Sequence, residues 1–150
     1  MNVPQNVLDT VYGSKPEDWK QHSNGGGWVY KTATVETSAY LHPTSIVSGN
    51  AWVYGDAQVS GNAWVYGNAQ VSGDARVIKP IICASRSDGY LFTCYPQKDG
   101  PIVIAAGCRF FTFEQAREHW TKTRAGTPLG DESLLLVNHL EAMAKIQGWE

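Results

Sequence analysis

Residues 29 to 77 repeat with a period of six, and this repeat restricts the fold of the 150-residue chain more than any other feature. An aliphatic residue returns at every sixth position, at Val29, Val35, Leu41, Val47, Val53, Val59, Val65, Val71 and Val77. A small residue lies four positions after each of the first eight, at Ala33, Ala39, Ser45, Ala51, Ala57, Ala63, Ala69 and Ala75. Heptads of a helix and the period of two of a hairpin strand do not fit, so the pattern predicts a parallel β-helix.

The residue types in each repeat support this prediction. We expect the aliphatic and the small residue to point inward, one filling a flat face and the other fitting beneath a corner. Glycine followed by Asn or Asp recurs from the fourth repeat on, at Gly49, Gly55, Gly61, Gly67 and Gly73. Glycine adopts positive φ at little cost, and Asn and Asp tolerate it, so the sequence predicts a tight corner every six residues.

The repeats over Trp28–Ile78, about a third of the chain, resemble the left-handed β-helix of the hexapeptide-repeat family. The resemblance implies a mainly β fold in which three hexapeptides form one triangular coil, so that nine repeats give three coils. Stacked positions are then eighteen residues apart. The chain departs from the family where Tyr or Ser often follows the aliphatic residue, a position that is usually small or acidic.

Residues that flank each valine are expected to point outward, and one outward face is markedly apolar. It carries the predicted oligomer interface, formed by Trp28, Tyr30, Ile46, Trp64 and Tyr66. A monomer rarely exposes such a stripe, and hexapeptide-repeat proteins are typically homotrimers, so we expect a subunit contact here. The alternative is that the N-terminal segment or the C-terminal helices cover this face within one chain.

The segments on either side of the repeats predict three regions: an N-terminal arm at 1–27, the left-handed β-helix at 28–79 and a small α+β domain at 80–150. The arm is expected to hold a short helix over Pro16–Gln21 and a glycine hinge at 25–27. Past residue 80 the sequence predicts strands at 81–84, 90–95, 102–105 and 107–111. Two helices follow, one after the N-cap Thr112 and one from Asp131 to before Gly148.

The C-terminal domain carries the candidate ligand site, which combines arginines, an aromatic ring and a helix N-terminus preceded by glycines. The residues are Arg86, Arg109, Arg117, Trp120, Arg124, Thr127 and Gly130. Arginine, an aromatic plane and free backbone N–H groups suit a phosphate-bearing or nucleotide-like ligand. The alternative is a solvated helix face, with Trp120 in the core and Glu114 and Glu118 paired to the arginines.

Catalytic and metal sites are poorly supported by the sequence. His42 is the one histidine inside the repeats, where acyltransferases of this family place their general base, but no inserted loop shapes an acceptor pocket beside it. The cysteines Cys83, Cys94 and Cys108 form no CxxC pair, which argues against structural zinc and favours reduced, buried thiols. The chain is expected to bind no cofactor and no metal.

Composition limits the kinds of partner. A net charge of −2 and a pI near 6.1 argue against generic binding of nucleic acid or of a membrane surface. The N-terminal residues lack the basic patch and apolar stretch of a signal peptide, so we expect a cytoplasmic protein.

Two near-identical units, NAWVYGDAQVSG and NAWVYGNAQVSG, precede a small non-repeat domain. In this arrangement, and in the stretches GCRFFTFEQAREHW and TRAGTPLGDESLLLVNHLEAMA, the chain resembles hexapeptide-repeat accessory proteins of bacteriophages. The resemblance implies an accessory protein of the host cytoplasm. We therefore expect a non-catalytic homotrimer that counters host defence by sequestering a nucleotide-derived signalling molecule. An inhibitor of a host protein and a hexapeptide-repeat acyltransferase are the alternatives.

Overall fold

A computed structural model describes residues 2–73, 75–78, 81–97, 100–107 and 109–149. The chain divides into two compact units, Met1–Ile81 and Ile82–Glu150. The first unit contains the repeats and the second contains an antiparallel sheet with two helices. The predictions that concern Cys108 and the turn at 98–99 lie outside the described residues.

The N-terminal segment folds as a short helix, a 3₁₀ turn and a hairpin strand. Helix α1 is Gln5–Leu8, the 3₁₀ turn is Pro16–Asp18, and strand β1 is Trp19–Gln21. The helix predicted to run from Pro16 to Gln21 is therefore wrong beyond Asp18. Its last three residues pair antiparallel with the first strand of the repeats, because this pairing buries the Trp19 ring, which a solvated helix would leave exposed.

Nine short strands occupy the repeats in the part of the chain that the structure describes. They are β2 (Trp28–Tyr30), β3 (Thr34–Val35), β4 (Tyr40–Leu41), β5 (Ile46–Val47), β6 (Trp52–Val53), β7 (Gln58–Val59), β8 (Trp64–Val65), β9 (Gln70–Val71) and β10 (Arg76–Val77). They form three parallel stacks, β2–β5–β8, β3–β6–β9 and β4–β7–β10. Paired residues are eighteen positions apart, as Val29 and Val47 are, so the spacing predicted from three hexapeptides is confirmed.

The interior of the repeats has the predicted composition. Eight of the nine aliphatic residues are completely buried, and Val35 in the second repeat retains some exposed surface. The corner glycines have φ between +61° and +69°, which confirms the predicted turns. At Gly49 a Cβ would lie 2.8 Å from the backbone nitrogen of Gly67, so this corner requires glycine for space as well as for its φ.

The apolar outer face of the repeats is covered in part by the N-terminal segment of the same chain. Trp28 and Ile46 are 5% and 7% exposed, and they pack in one cluster with Val3, Val7 and Trp19. The exposed stripe that predicted a subunit contact is therefore absent at these two residues, as the alternative interpretation expected. The homotrimer itself stays a prediction.

The second unit is a four-stranded antiparallel meander with two helices on one face. Its strands are β11 (Ile82–Ser85), β12 (Leu91–Tyr95), β13 (Val103–Ala106) and β14 (Arg109–Phe111), each within two residues of its predicted bounds. Helix α2 is Phe113–Arg124 and helix α3 is Pro128–Ile146.

Side-chain caps begin both helices of the second unit. Thr112 and Gln115 form the predicted capping box of α2. Helix α3 begins three residues earlier than predicted, because Thr127 accepts a hydrogen bond from the Gly130 backbone N–H and Pro128 suits the first helical position. Its stripe of Val137, Leu140 and Ala144 is buried against the sheet.

Candidate functional site

A pocket of about 230 Å³ lies at the N-terminal end of the repeats. We call it the hairpin pocket, and it is lined by Lys20, Gln21, His22, Ser23, Val29, Val35 and Thr37. The first three stacked strands have no preceding repeat above them, and β1 covers only the stack that begins with β2. The uncovered second repeat leaves the pocket, which is why Val35 keeps exposed surface.

Strand β1 directs Lys20 toward the interior side of the repeats. Lys20 pairs with Val29 across the antiparallel strands, and paired residues share one face of a sheet. Since the Val29 side chain is completely buried inside the repeats, Lys20 lies on the same inward side at the open end. An inward charge on an edge strand also discourages further strand pairing.

His22 is the buried polar group of the hairpin pocket, with 8% of its surface exposed. Its Nε2 lies 2.8 Å from the carbonyl oxygen of Ala39. Its backbone N–H donates to the Gly27 carbonyl, and its own carbonyl accepts from the Gly26 N–H. Within the described chain Nδ1 makes no hydrogen bond. This atom is not completely buried, so solvent can reach it.

The glycine stretch closes the third repeat and is not a free hinge. The N–H of Gly27 donates to the Leu41 carbonyl, and the Leu41 N–H donates to the Asn24 carbonyl, both at 2.9 Å. Gly25 has φ of +113°, and a Cβ there would collide with the Leu41 carbonyl. The predicted hinge is therefore wrong, because these glycines allow the backbone to lie directly on Leu41 and to position His22.

The lining of the hairpin pocket is cationic. Lys20 forms no ion pair with any residue that the structure describes, and the pocket is lined by no Asp or Glu. The hydroxyls of Ser23 and Thr37 have no hydrogen-bond partner in the described ranges. An ammonium group with two uncommitted hydroxyls and an apolar floor can bind a small anion.

The structure assigns Arg86 to the framework of the second unit. Its guanidinium makes two hydrogen bonds to the Asp88 carboxylate and one to the Ser133 hydroxyl. It also lies 4.4 Å from the centre of the Tyr90 ring and is 6% exposed. The Arg86 guanidinium, through these hydrogen bonds, lowers the pKa of Asp88. Each of the three guanidinium nitrogens of Arg86 is therefore hydrogen-bonded within the second unit.

Arg117 and Trp120 do not form the predicted ligand face. Arg117 pairs with Glu141 at 2.7 Å and donates to Asn138, so it joins α2 to α3 and lowers the pKa of Glu141. Trp120 is 3% exposed and packs on Phe92 in the core. The core position of Trp120 agrees with the alternative interpretation, but Glu118 pairs with Lys122 and not with an arginine.

Of the remaining candidates, Arg124, Thr127 and Gly130 lie together where α3 begins, and the Thr127 hydroxyl donates to the Arg124 carbonyl at 2.7 Å. The Thr127 side chain caps α3 by accepting from the Gly130 N–H, which occupies a donor that an anion would need. Arg124 and Arg109 are exposed, and neither makes an ion pair among the described residues.

His119 lies within the electrostatic influence of Arg109 and was not among the site residues predicted from the sequence. Burial and, second, the charge of Arg109 lower the pKa of His119. The imidazole of His119 also stacks on the Phe111 ring at 5.0 Å.

Catalytic and metal chemistry find little support in the geometry. His42 is half-exposed, and its Nδ1 lies 2.8 Å from the Thr44 hydroxyl, so no carboxylate orients it as a general base. In the described ranges no three His, Cys, Asp or Glu side chains are grouped to hold a metal ion. Among the helices of these ranges none is long and apolar enough to cross a membrane.

The residues of the hairpin pocket were not among the site residues predicted from the sequence. A short segment that begins at Trp19, a glycine-rich turn and the first repeat strand have the layout of a β-hairpin, which would have placed Lys20 near Val29. No local signal connects His22 with Ala39, because that contact depends on the glycine turn lying over the third repeat.

Comparisons with known proteins agree with the repeat pattern over a short segment. The family model described as YdcK Beta solenoid repeat matches residues 57–70. No curated protein and no solved structure matches the chain. The chain is therefore mainly β, with a segment similar to a β-solenoid repeat and with parallel strand stacks that are compatible with it.

Proposed function

We propose that this chain is a non-catalytic binding protein that sequesters a small anionic ligand in the hairpin pocket. One observation carries the proposal: Lys20 lines a pocket that holds no carboxylate, and no described carboxylate pairs with it. The exposed ammonium of Lys20 and the exposed hydroxyls of Ser23 and Thr37 are available to a negatively charged guest.

The size of the pocket restricts the ligand. Pockets that hold drug-sized molecules are roughly 300–1,000 Å³, and the hairpin pocket measures about 230 Å³. It accommodates a small phosphate ester or carboxylate, or the phosphorylated sugar of a larger nucleotide. A nucleotide-derived signal therefore fits only if its base remains outside the pocket.

The proposal also covers the handedness of the repeats, the origin of the protein and its oligomeric state. We propose that the repeats close as a left-handed β-helix of the hexapeptide type and that the protein is a cytoplasmic, phage-type accessory protein acting against host defence. We also propose that it forms a homotrimer, with Trp28 and Ile46 removed from the expected interface because they pack inside the chain.

Thermal unfolding of the full chain with ribose 5-phosphate and with inorganic phosphate tests the ligand class. At a hundredfold excess over the dissociation constant, a bound ligand stabilises the folded state by about 2.7 kcal/mol. We expect both the parent and the control Lys122→Gln to be stabilised, because Lys122 pairs with Glu118 in the other unit. The variant Lys20→Gln should lose most of the shift.

Two results would overturn the proposal. Absence of any shift in the parent at tens of millimolar ligand would exclude a functional anion pocket. A shift that survives Lys20→Gln but disappears in Arg109→Ala would move the site to the second unit, where the sequence analysis expected it.

A further inference from the structure

We infer that the hairpin pocket selects an anion that carries a hydroxyl group near its charge, such as a sugar phosphate, a polyol phosphate or a hydroxy-carboxylate. This inference rests on the proposed function and adds the second chemical group that the ligand must have. The group that recognises the hydroxyl is Nδ1 of His22.

The hydrogen bond to Ala39 determines which ring nitrogen of His22 carries the proton. A carbonyl oxygen only accepts hydrogen bonds, so Nε2, at 2.8 Å from the Ala39 oxygen, is the donor. In the neutral imidazole Nδ1 then holds the lone pair and accepts. The ring cannot exchange these roles without giving up its bond to Ala39.

Since His22 lines the pocket, we take Nδ1 as the acceptor that a ligand there would meet. The side chain is more than nine-tenths buried and lines the pocket, while Nδ1 has no partner in the described chain and is not sealed from solvent. Water can reach Nδ1 in the unliganded protein, so a ligand that displaces this water must donate a hydrogen in its place or leave the acceptor unpaired. A bare phosphate dianion brings no such hydrogen.

The rest of the lining suits a short hydroxylated carbon chain. Lys20 provides the charge for the anionic end, and the hydroxyls of Ser23 and Thr37 donate or accept as the ligand requires. Val35, which keeps some exposed surface, provides an apolar floor for the C–H groups of the ligand. Acceptor, cation and apolar floor together describe a polyol or hydroxy acid better than a halide or an inorganic oxyanion.

Matched pairs of small molecules test the inference. Glycerol 3-phosphate and propyl phosphate have the same charge and chain length and differ in two hydroxyls, and glycerate and propionate form the same comparison for carboxylates. We expect isothermal titration to show glycerol 3-phosphate binding about tenfold more tightly than propyl phosphate, as one well-placed hydrogen bond provides. The pair that shows the larger preference identifies the anionic group.

Two substitutions of His22 distinguish its role in recognising the ligand from its role in stabilising the fold. His22→Gln retains an amide N–H for the Ala39 carbonyl and removes the Nδ1 acceptor, so it should fold and should bind both phosphates equally. His22→Asn places an amide oxygen near the position of Nδ1, so it should restore part of the preference for glycerol 3-phosphate, even with a lowered melting temperature.

The outcomes distinguish this inference from the proposed function. If both phosphates bind the parent equally, the anion pocket stands and hydroxyl recognition fails. If glycerol 3-phosphate is preferred and His22→Gln retains the full preference, another group recognises the hydroxyl and the role of His22 is refuted. If neither phosphate binds, the proposed function fails together with the inference. A preference that disappears in His22→Gln and returns in His22→Asn supports it.

Discussion

The imidazole Nε2 of His22 lies 2.8 Å from the carbonyl oxygen of Ala39, where it replaces a backbone donor. Eighteen residues later, the equivalent carbonyl, that of Ala57, accepts the backbone N–H of Tyr40 at 2.9 Å. No preceding repeat exists above Ala39 to provide such an N–H. A side chain from the hairpin thus satisfies an edge carbonyl that would otherwise depend on water.

This bond predicts a stabilising role for His22 that does not depend on any ligand. We expect His22→Ala to lower the free energy of unfolding by about 1–3 kcal/mol, because it leaves the Ala39 carbonyl unpaired and opens a cavity. Urea denaturation measures the change. His42→Ala, at a half-exposed histidine of the same unit, is the control and should change stability by less than about 0.5 kcal/mol. If both variants lowered the free energy of unfolding equally, the hydrogen bond from His22 to the Ala39 carbonyl would contribute nothing to stability.

The corner glycines separate the cost of positive φ from the cost of crowding. Gly73 has φ of +62° and no atom within 4 Å of a would-be Cβ, so Gly73→Ala should cost about 1–2 kcal/mol for its conformation alone. Gly49 has nearly the same φ, but its Cβ would lie 2.8 Å from the Gly67 backbone. Gly49→Ala should therefore be the more destabilising in the same denaturation experiment. If both variants lost the same free energy of unfolding, the corners at Gly49 and Gly67 would be able to move apart at no cost to make room for the added Cβ.

The cluster of the N-terminal segment predicts how the apolar face responds to charge. Ile46 packs with Val7 and Trp28 inside one chain, so Ile46→Arg should lower the unfolding free energy by several kcal/mol. Light scattering coupled to gel filtration, read beside the melting temperature, distinguishes the two interpretations of this face. A variant that keeps its melting temperature but loses a trimer would show that the residue acts between subunits.

The thiol of Cys94 predicts a loss of stability at high pH. Burial, followed by the neighbouring Cys83, raises the pKa of Cys94 from 9.0 to about 12. Between these values the unfolded chain releases a proton that the folded chain keeps, so this contribution is complete below pH 9 and is lost as the pH rises. The free energy of unfolding should fall by up to about 1.4 kcal/mol per pH unit from this group. Cys94→Ala should show a shallower decline between pH 9 and pH 11; equal slopes would contradict the raised pKa.

The architecture of the repeats could be predicted because it is periodic. One aliphatic residue in six and one glycine in six determine which side chains point inward and where the chain turns, and the structure confirms both at Val53 and Gly55. The helices of the second unit were equally accessible to prediction, since Thr112 and Gln115 cap α2 through neighbours in sequence. These features depend on interactions within a few residues or on a strict repeat.

The candidate site could not be predicted in the same way. The spacing of the arginines along α2 suggested a shared ligand face. In the structure Arg117 forms an ion pair with Glu141 of α3, and Trp120 is buried in the core. Spacing on one helix determines which residues are neighbours, and it does not determine what packs against them.

The inward valines and the glycine corners follow from the six-residue period, because each repeat imposes the same local geometry on the next. The eighteen-residue stacking was implied by the resemblance to hexapeptide-repeat proteins. Two contacts became visible only in the folded chain: the N-terminal segment covers Trp28 and Ile46, and the glycine turn brings His22 to Ala39. The contact of His22 with Ala39 joins residues seventeen positions apart, and the N-terminal cluster extends from Val3 to Ile46, in both cases without a repeating pattern. They form because the first few repeats leave apolar surface and carbonyl groups uncovered, and the N-terminal segment is close enough in sequence to cover both.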